Sequence, residues 1–350
     1  MPLLSHHHFG DGRYMLDETA QAATVFVQCL RRQCNDIALH LQALDLVNKR
    51  AFYTVARGSS DAVACILSYE IMRVLARPVT SLPPSVFSLY QHSAMDMTDT
   101  AMLVISQSGA SDDLVASAVT AKARHSAVIA ITNQADSPVE RAASCTLPVN
   151  AGPELAVPAT KTVIGSVAAG MALLGHIVPA YTAACEQAAT VFECLNTADY
   201  ATFINESALI AALSQAQNVY IIGRGAGLGA AQEIALKLKE CCALHAEAYS
   251  ASEVLHGPLQ LVTKPLTVLL LDTGEAVAKP SLDTAAARFR QEGCEVYRVC
   301  PNAVDSSVLT PAAGAALLIY LLYPVVHAVA MAFGLNPDKP ATLSKVTVTV

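Results

Sequence analysis

"YTVARGSS" at residues 53–60 returns, altered, as "YIIGRGAG" at residues 220–227. Each copy is an apolar run that ends in arginine, glycine and small residues, and each leads into a helix-patterned stretch. A buried strand that breaks at a glycine and passes into a helix opens a β-α-β unit. Two such openings, with Arg57 and Arg224 in the same place, imply two similar open α/β domains in tandem.

The alternation extends outward from both copies. "DAVACILSYEIMRVL" reads as helix, "TAMLVIS" as strand, "DDLVASAVTAKARH" as helix, "SAVIAIT" as strand and residues 160–178 as helix. A helical connector around 183–215 follows. After the second copy come "AAQEIALKLKECC" (helix), "LTVLLLD" (strand), "LDTAAARFRQEG" (helix) and "CEVYRVC" (strand). The expected layout is an N-terminal segment and helix (1–30), a first domain (31–185), a second domain (186–335) and a tail (336–350). Each domain is expected to be an α/β three-layer unit, an open parallel sheet flanked by helices.

With 350 residues, 53% of them hydrophobic and 15% charged, the chain has enough apolar material for two packed domains. The net charge of −7 and the lack of a long basic run argue against nucleic acid or anionic membrane as partner. An anionic ligand would therefore be captured by local geometry. The ten cysteines form no CxxC pair, which fits reduced thiols in a cytoplasmic protein and gives no reason to expect a metal or other cofactor. The polar start, with His6, His7 and His8, lacks a signal-peptide layout. Residues 162–185 and 312–334 are long enough to span a bilayer, but their prolines and histidines and their place in α/β units point to buried helices and strands.

Several motifs could carry chemistry. "LVISQSGASDDLV" (103–115) joins a strand end to a helix start through Ser106, Gln107, Ser108, Gly109 and Ser111. Free N–H groups and the positive end of the helix dipole meet there, which suits a phosphate. The plainer reading is a helix cap, with Ser111 or a neighbour as N-cap, but one serine suffices for that. Gly109 would let the backbone approach a ligand, and Ser59 and Ser60 would open onto the same crevice. In the second half, "LLLDTGEA" puts Asp272 and Glu275 roughly where these serines stand, so only the first copy looks able to hold an anion. "GRGAGLG" (223–229) fails the dinucleotide fingerprint at Leu228.

In "QEIALKLKE", Ile234, Leu238 and Cys241 form one apolar stripe, and Glu233, Lys237 and Glu240 stack beside it. Spacing alone favours a solvated salt-bridge ladder. If that face lines a crevice, Lys237 and Glu233 could tune Glu240 as a general base. By the same standard His256, in a His-Gly-Pro turn, reads as structural, and Lys345 as an exposed charge near a frayed end.

Taken together, "ARGSS", "SQSGASDD", "PELAVPATK", "GRGAGLGAAQEIALKLKE", "HAEAYSASEVLHGPL" and the "DKPATLSKVTVTV" tail resemble the sugar-isomerase (SIS) double-domain family. Within it they are similar to the isomerase half of glutamine–fructose-6-phosphate aminotransferase and to stand-alone, glutaminase-less glucosamine-6-phosphate deaminases. The resemblance runs in order from about residue 15 to the C-terminus. It implies a phosphate loop of Ser106, Gln107, Ser108 and Ser111 with Ser59 and Ser60 alongside, and Glu240 as the base between C1 and C2, flanked by Lys237 and Glu233. It further implies His256 as a ring-opening group from the neighbouring subunit of a homodimer, and Lys345 as a Schiff-base lysine. Val157 and Ala159 would touch the sugar, with Glu154 at the edge. Departures are Ser59 for threonine and Pro158-Ala159 for alanine-serine, the latter removing a hydroxyl contact.

No glutaminase segment precedes the first α/β unit, so the expected reaction is hydrolysis of glucosamine 6-phosphate to fructose 6-phosphate and ammonia. Galactosamine 6-phosphate deamination and fructosamine 6-phosphate deglycation are alternatives with the same chemistry. A non-catalytic sugar-phosphate sensor is a further one, although it would have no use for Glu240, His256 and Lys345.

Overall fold

The computed structural model describes residues 12–36, 41–90, 95–195, 203–301 and 308–345; the His6–His8 run and the last five residues lie outside them. Two parallel sheets form. The first takes β1 (Ala51–Val55), β2 (Val79–Ser81), β3 (Thr100–Ser106), β4 (Ala127–Thr132) and β5 (Cys145–Pro148) in the order β2-β1-β3-β4-β5. The second takes β6 (Asn218–Gly223), β7 (His245–Ser250), β8 (Thr267–Leu271) and β9 (Glu295–Val299) in the order β7-β6-β8-β9. The central strands β3 and β4 are buried along their whole length, as expected of strands covered on both faces.

The helices are α1 (Arg13–Asp36), α2 (Ser59–Leu75), α3 (Ser85–Ser88), α4 (Asp112–Ala123), α5 (Pro138–Ala142), α6 (Lys161–Ile177) and α7 (Thr182–Leu195). They continue with α8 (Glu206–Gln215), α9 (Gly227–Cys242), α10 (Lys279–Gln291) and α11 (Pro311–Ala332). Both apolar stretches that were long enough for a bilayer lie here: α6 is buried, and α11, the one described helix apolar and long enough to cross a membrane, packs into the core for most of its length. The expected boundaries at 30/31 and 185/186 fall inside α1 and α7.

One apolar core joins the halves, drawing on Leu67 and Ile66 of α2, Ala230 and Ile234 of α9, and Leu317 and Tyr320 of α11. Smaller cores cover the outer face of each sheet. Phe26 of α1 stacks on Phe192 of α7 at 3.8 Å between ring centroids, tying α1 to the centre. The tail adds a polar clasp. Asp338 accepts hydrogen bonds from Met15 N at 2.7 Å and Tyr14 N at 3.0 Å, capping α1, while its carbonyl accepts from Val157 N at 2.8 Å. A carboxylate at a helix N-terminus satisfies open N–H groups and complements the dipole.

The repeat has a geometric consequence at the centre. Aligning Tyr53 with Tyr220 and keeping register sets Ala62 of α2 against Gly229 of α9. These two equivalent positions touch each other: a Cβ on Gly229 would lie 2.6 Å from the Ala62 carbonyl oxygen and 2.5 Å from Ile66 Cγ1. The halves therefore cross here through a residue with no side chain, and α9 runs on to the crevice of the first sheet. Gly229→Val is expected to destabilise the fold by about 1–3 kcal/mol, read as a lower denaturant midpoint, because backbone atoms of Ala62 and Ile66 stand in the way along with the Ile66 side chain.

Candidate active site

In both sheets the strand order reverses beside the first strand, and ligands of open α/β sheets bind where that reversal parts the loops beyond the carboxyl ends. In the first sheet the parting lies between β1 and β3. The segment Arg57–Ser60 stands on one side and Ser106–Ser111 on the other, and a crevice of about 400 Å³ opens between them. Gln107, Ser108 and Ser111 line it from the β3 side, Ser59 and Ser60 from the β1 side. The far wall comes from Lys237 and Glu240 of α9, Val157 and Ala159, and Leu343 to Lys345 of the tail.

Within the serine loop the hydroxyls differ in what they do. Ser106 is buried, and its Oγ accepts from Gly109 N at 3.1 Å, so it shapes the turn from behind. Ser108 Oγ accepts a long bond from Ala110 N at 3.4 Å. Ser111 sits at the N-cap of α4, yet its side chain makes no capping bond, which disposes of the plain capping role. Gln107 and Ser111 have no side-chain partner among the described residues and face the crevice. Gly109 has a packing reason of its own. Its φ is +60°, and a Cβ there would sit 2.3 Å from Ser137 Oγ, so the glycine lets the loop pack on its neighbour.

The acidic and basic residues of α9 correct the reading from spacing. Glu233 and Lys237 are fully buried, not a solvated ladder. Lys237 Nζ donates to Ser59 Oγ at 2.9 Å and to Glu240 Oε2 at 2.5 Å, and lies 3.4 Å from Glu233 Oε1. Tyr323 of α11 donates to Glu233 Oε1 at 2.9 Å, while Glu233 Oε2 is buried with no hydrogen-bond partner among the described residues. Burial would push the lysine pKa down, but the Glu233 and Glu240 carboxylates outweigh it and hold Lys237 protonated, its pKa above the usual value. Burial, opposed by Lys237, raises Glu233. Glu240 is the exposed member, with 24% of its side chain open toward the crevice. Two carboxylates thus share one ammonium, and the outer one meets whatever enters.

Glu154 and Lys345 are also drawn in. Glu154 is buried and caps α6, accepting from Thr160 N at 3.0 Å, Thr162 N at 3.1 Å and Thr162 Oγ1 at 2.7 Å. Lys345 is not a frayed exposed charge: Nζ donates to the Ala156 carbonyl at 2.6 Å and to Glu154 Oε2 at 3.4 Å. Glu18 of α1 accepts from Leu155 N and Ala156 N, and burial raises its pKa. His256 is the exception. It is exposed in a turn and does not line the crevice.

A third cation lines the crevice that sequence reasoning noted only as a mark of the repeat. Arg57 donates through Nε (2.6 Å) and Nη2 to Asp113 Oδ2. The paired arginines of the repeat were the available signal; the partner lies 56 residues away and could not be read from spacing.

Removing the shared ammonium should expose the electrostatics. Lys237→Met is expected to cost about 3–5 kcal/mol at neutral pH, since a buried carboxylate loses its counter-charge. Glu233 would then have a folded pKa raised further above its unfolded value near 4.3, so stability is retained below that value and lost as pH rises through the folded pKa. Denaturant melts of this variant should show a smaller deficit at about pH 5 than at about pH 8.

The SIS domain family matches residues 45–175 and 212–319. Over 322 residues the chain is 30% identical to the isomerizing glutamine–fructose-6-phosphate aminotransferase of Sulfolobus acidocaldarius, covering 88% of this chain and 52% of that protein. Its counterpart in Symbiobacterium thermophilum is 32% identical over 331 residues, with coverage of 87% and 52%. The chain spans about half the length of these curated relatives. Among solved structures, a protein provisionally named as a phosphosugar isomerase from Silicibacter pomeroyi DSS-3 superposes with a TM-score of 0.80 at 33% identity, covering 93% of this chain and 99% of that one. A glucosamine-6-phosphate deaminase from Thermotoga maritima shares the fold with a TM-score of 0.73 at 19% identity, covering 96% of this chain and 100% of that one.

Proposed function

The chain belongs to the SIS domain family, and we propose that its crevice binds glucosamine 6-phosphate and converts it to fructose 6-phosphate and ammonia. The observation that carries the reading is Glu240: a carboxylate open to the crevice, bonded to a buried lysine that also holds Ser59 of the phosphate-side wall. A proton-transfer group and an anion-holding loop are thereby fixed relative to each other, as a reaction on a tethered sugar chain requires.

In this reading the phosphate rests against Gln107, Ser108, Ser111 and Ser60, and the open-chain sugar extends toward α9. Glu240 removes the proton from C2, which the neighbouring aldehyde acidifies by delocalising the electron pair onto oxygen. Returning that proton to C1 turns the enolamine into a C2 imine. Water adds to C2 and ammonia leaves, either directly or after the imine is exchanged onto Lys345, which would first have to leave Glu154 and lose its proton. Hydrolysis asks for no second substrate beyond water, which reaches the exposed part of Glu240. Buried Lys237 stays protonated throughout, limiting the charge that builds on the two carboxylates.

Ring opening needs a further acid or base, and His256 is exposed away from this crevice. We assign it to the crevice of a second copy, which makes a homodimer part of the proposal. Glu240→Gln keeps the size and the hydrogen bond to Lys237 but cannot take a proton. Coupled assays for ammonia and ketose phosphate should show at least about a 100-fold loss of turnover, with phosphosugar affinity near that of the unaltered protein. Near-normal ammonia release from this variant would overturn the assignment of the base.

A further inference from the structure

We propose that Arg57 is a phosphate-contact residue of this crevice, held in place by Asp113, and that it supplies the positive charge the serine loop lacks. The inference rests on the phosphosugar reading above and adds a residue to it.

Three cations line the crevice, and two are already committed. Lys237 is fully buried between Glu233 and Glu240. Lys345, 27% exposed, has its amine on Glu154 and the Ala156 carbonyl. Arg57 is 46% exposed and uses only Nε and one Nη2 hydrogen, both on Asp113 Oδ2. Its Nη1 donates to no described residue, so one face of the planar fork remains available. Guanidinium groups commonly span a carboxylate on one edge and a phosphate on the other, and their fixed geometry makes that contact directional.

The location agrees. Arg57 lies in the short loop after β1 and Asp113 in the first turn of α4, so their bond crosses the parting of the sheet beside the open ends of Gln107 and Ser111. Asp113 is buried and its Oδ1 accepts from Leu114 N at 2.9 Å, so the anchor itself cannot swing. The second half supplies a contrast. There α10 begins Lys279-Pro280 where α4 begins Asp112-Asp113. With lysine and proline in place of the two aspartates at that helix start, Arg224 turns to Ser252 Oγ at 2.6 Å and Ser250 Oγ at 3.1 Å, away from its own parting, although Glu275 stands in the loop there. The same repeated arginine faces a crevice only where an aspartate aims it there.

Titration calorimetry on the full chain with fructose 6-phosphate, inorganic phosphate and unphosphorylated fructose tests this. Arg57→Gln should weaken binding of fructose 6-phosphate and of phosphate by about 10- to 100-fold while leaving the unphosphorylated sugar unaffected. Arg57→Lys, which keeps the charge without the fork, should fall between. Unchanged phosphosugar affinity in folded Arg57→Gln, checked by circular dichroism, overturns the assignment and leaves the Glu240 chemistry standing; so does an equal loss for all three ligands. Loss confined to the two phosphorylated ligands supports it, and does so even if the unaltered protein releases no ammonia, a result that would remove only the deaminase reading.

Discussion

A protonated lysine with no exposure to water, shared by two carboxylates and one serine hydroxyl, is the interaction from which the rest of the site follows. An ammonium in a protein interior is tolerated only when counter-charge and hydrogen bonds replace its lost hydration. Glu233 and Glu240 supply the charge, Ser59 the remaining acceptor, and Tyr323 secures Glu233 from the last helix. Because Ser59 belongs to the first half and Lys237 to the second, satisfying this one group fixes the register between the two sheets at the place where the crevice opens. The site and the junction of the halves are the same piece of structure.

That junction works because the repeat packs against itself. Ala62 and Gly229 occupy equivalent positions and meet where α2 crosses α9, close enough that α9 could not carry a side chain at Gly229 unchanged. Continuing the register past them sets Glu70 against Lys237 and Arg73 against Glu240. The two copies therefore hold opposite charges at matching points. On the α2 side Glu70 is buried and accepts from Arg73 at 2.6 Å and from Tyr181 at 2.6 Å, so the carboxylate is the enclosed member and the arginine the open one. On the α9 side the outer carboxylate stays open. Divergence of one duplicated helix has left a buried carboxylate with an open arginine in one half and a buried lysine with an open carboxylate in the other.

The C-terminal tail adds polar contacts to the enclosure. Asp338 caps α1, its carbonyl holds the loop bearing Val157, and Lys345 lands on Glu154 and Ala156.

Most of the architecture was open to reading in the chain itself. β3 and β4 are buried throughout and β6 and β8 at all but their first residue, so they, with the partly buried β1, appear as apolar runs, and the glycine turns after β1 and β6 mark the repeat. The short edge strands β2, β5 and β7 escaped notice because an edge is paired on one side only, and sequences such as "VTS" and "HAEAYS" mix polar and apolar residues like a loop. The serine loop was legible as a group, since no packing requirement explains so many hydroxyls together. Which of them point inward was not, because Ser106 and Ser111 differ only in what surrounds them. The residues Glu233, Lys237 and Glu240 show the limit most plainly. Their spacing places them on one helix face in any fold, but whether that face meets water or a second domain depends on contacts with residues far along the chain, Ser59 and Tyr323 among them. Local order in the chain sets periodicity; burial, and with it charge state and chemistry, is set by what the fold brings alongside.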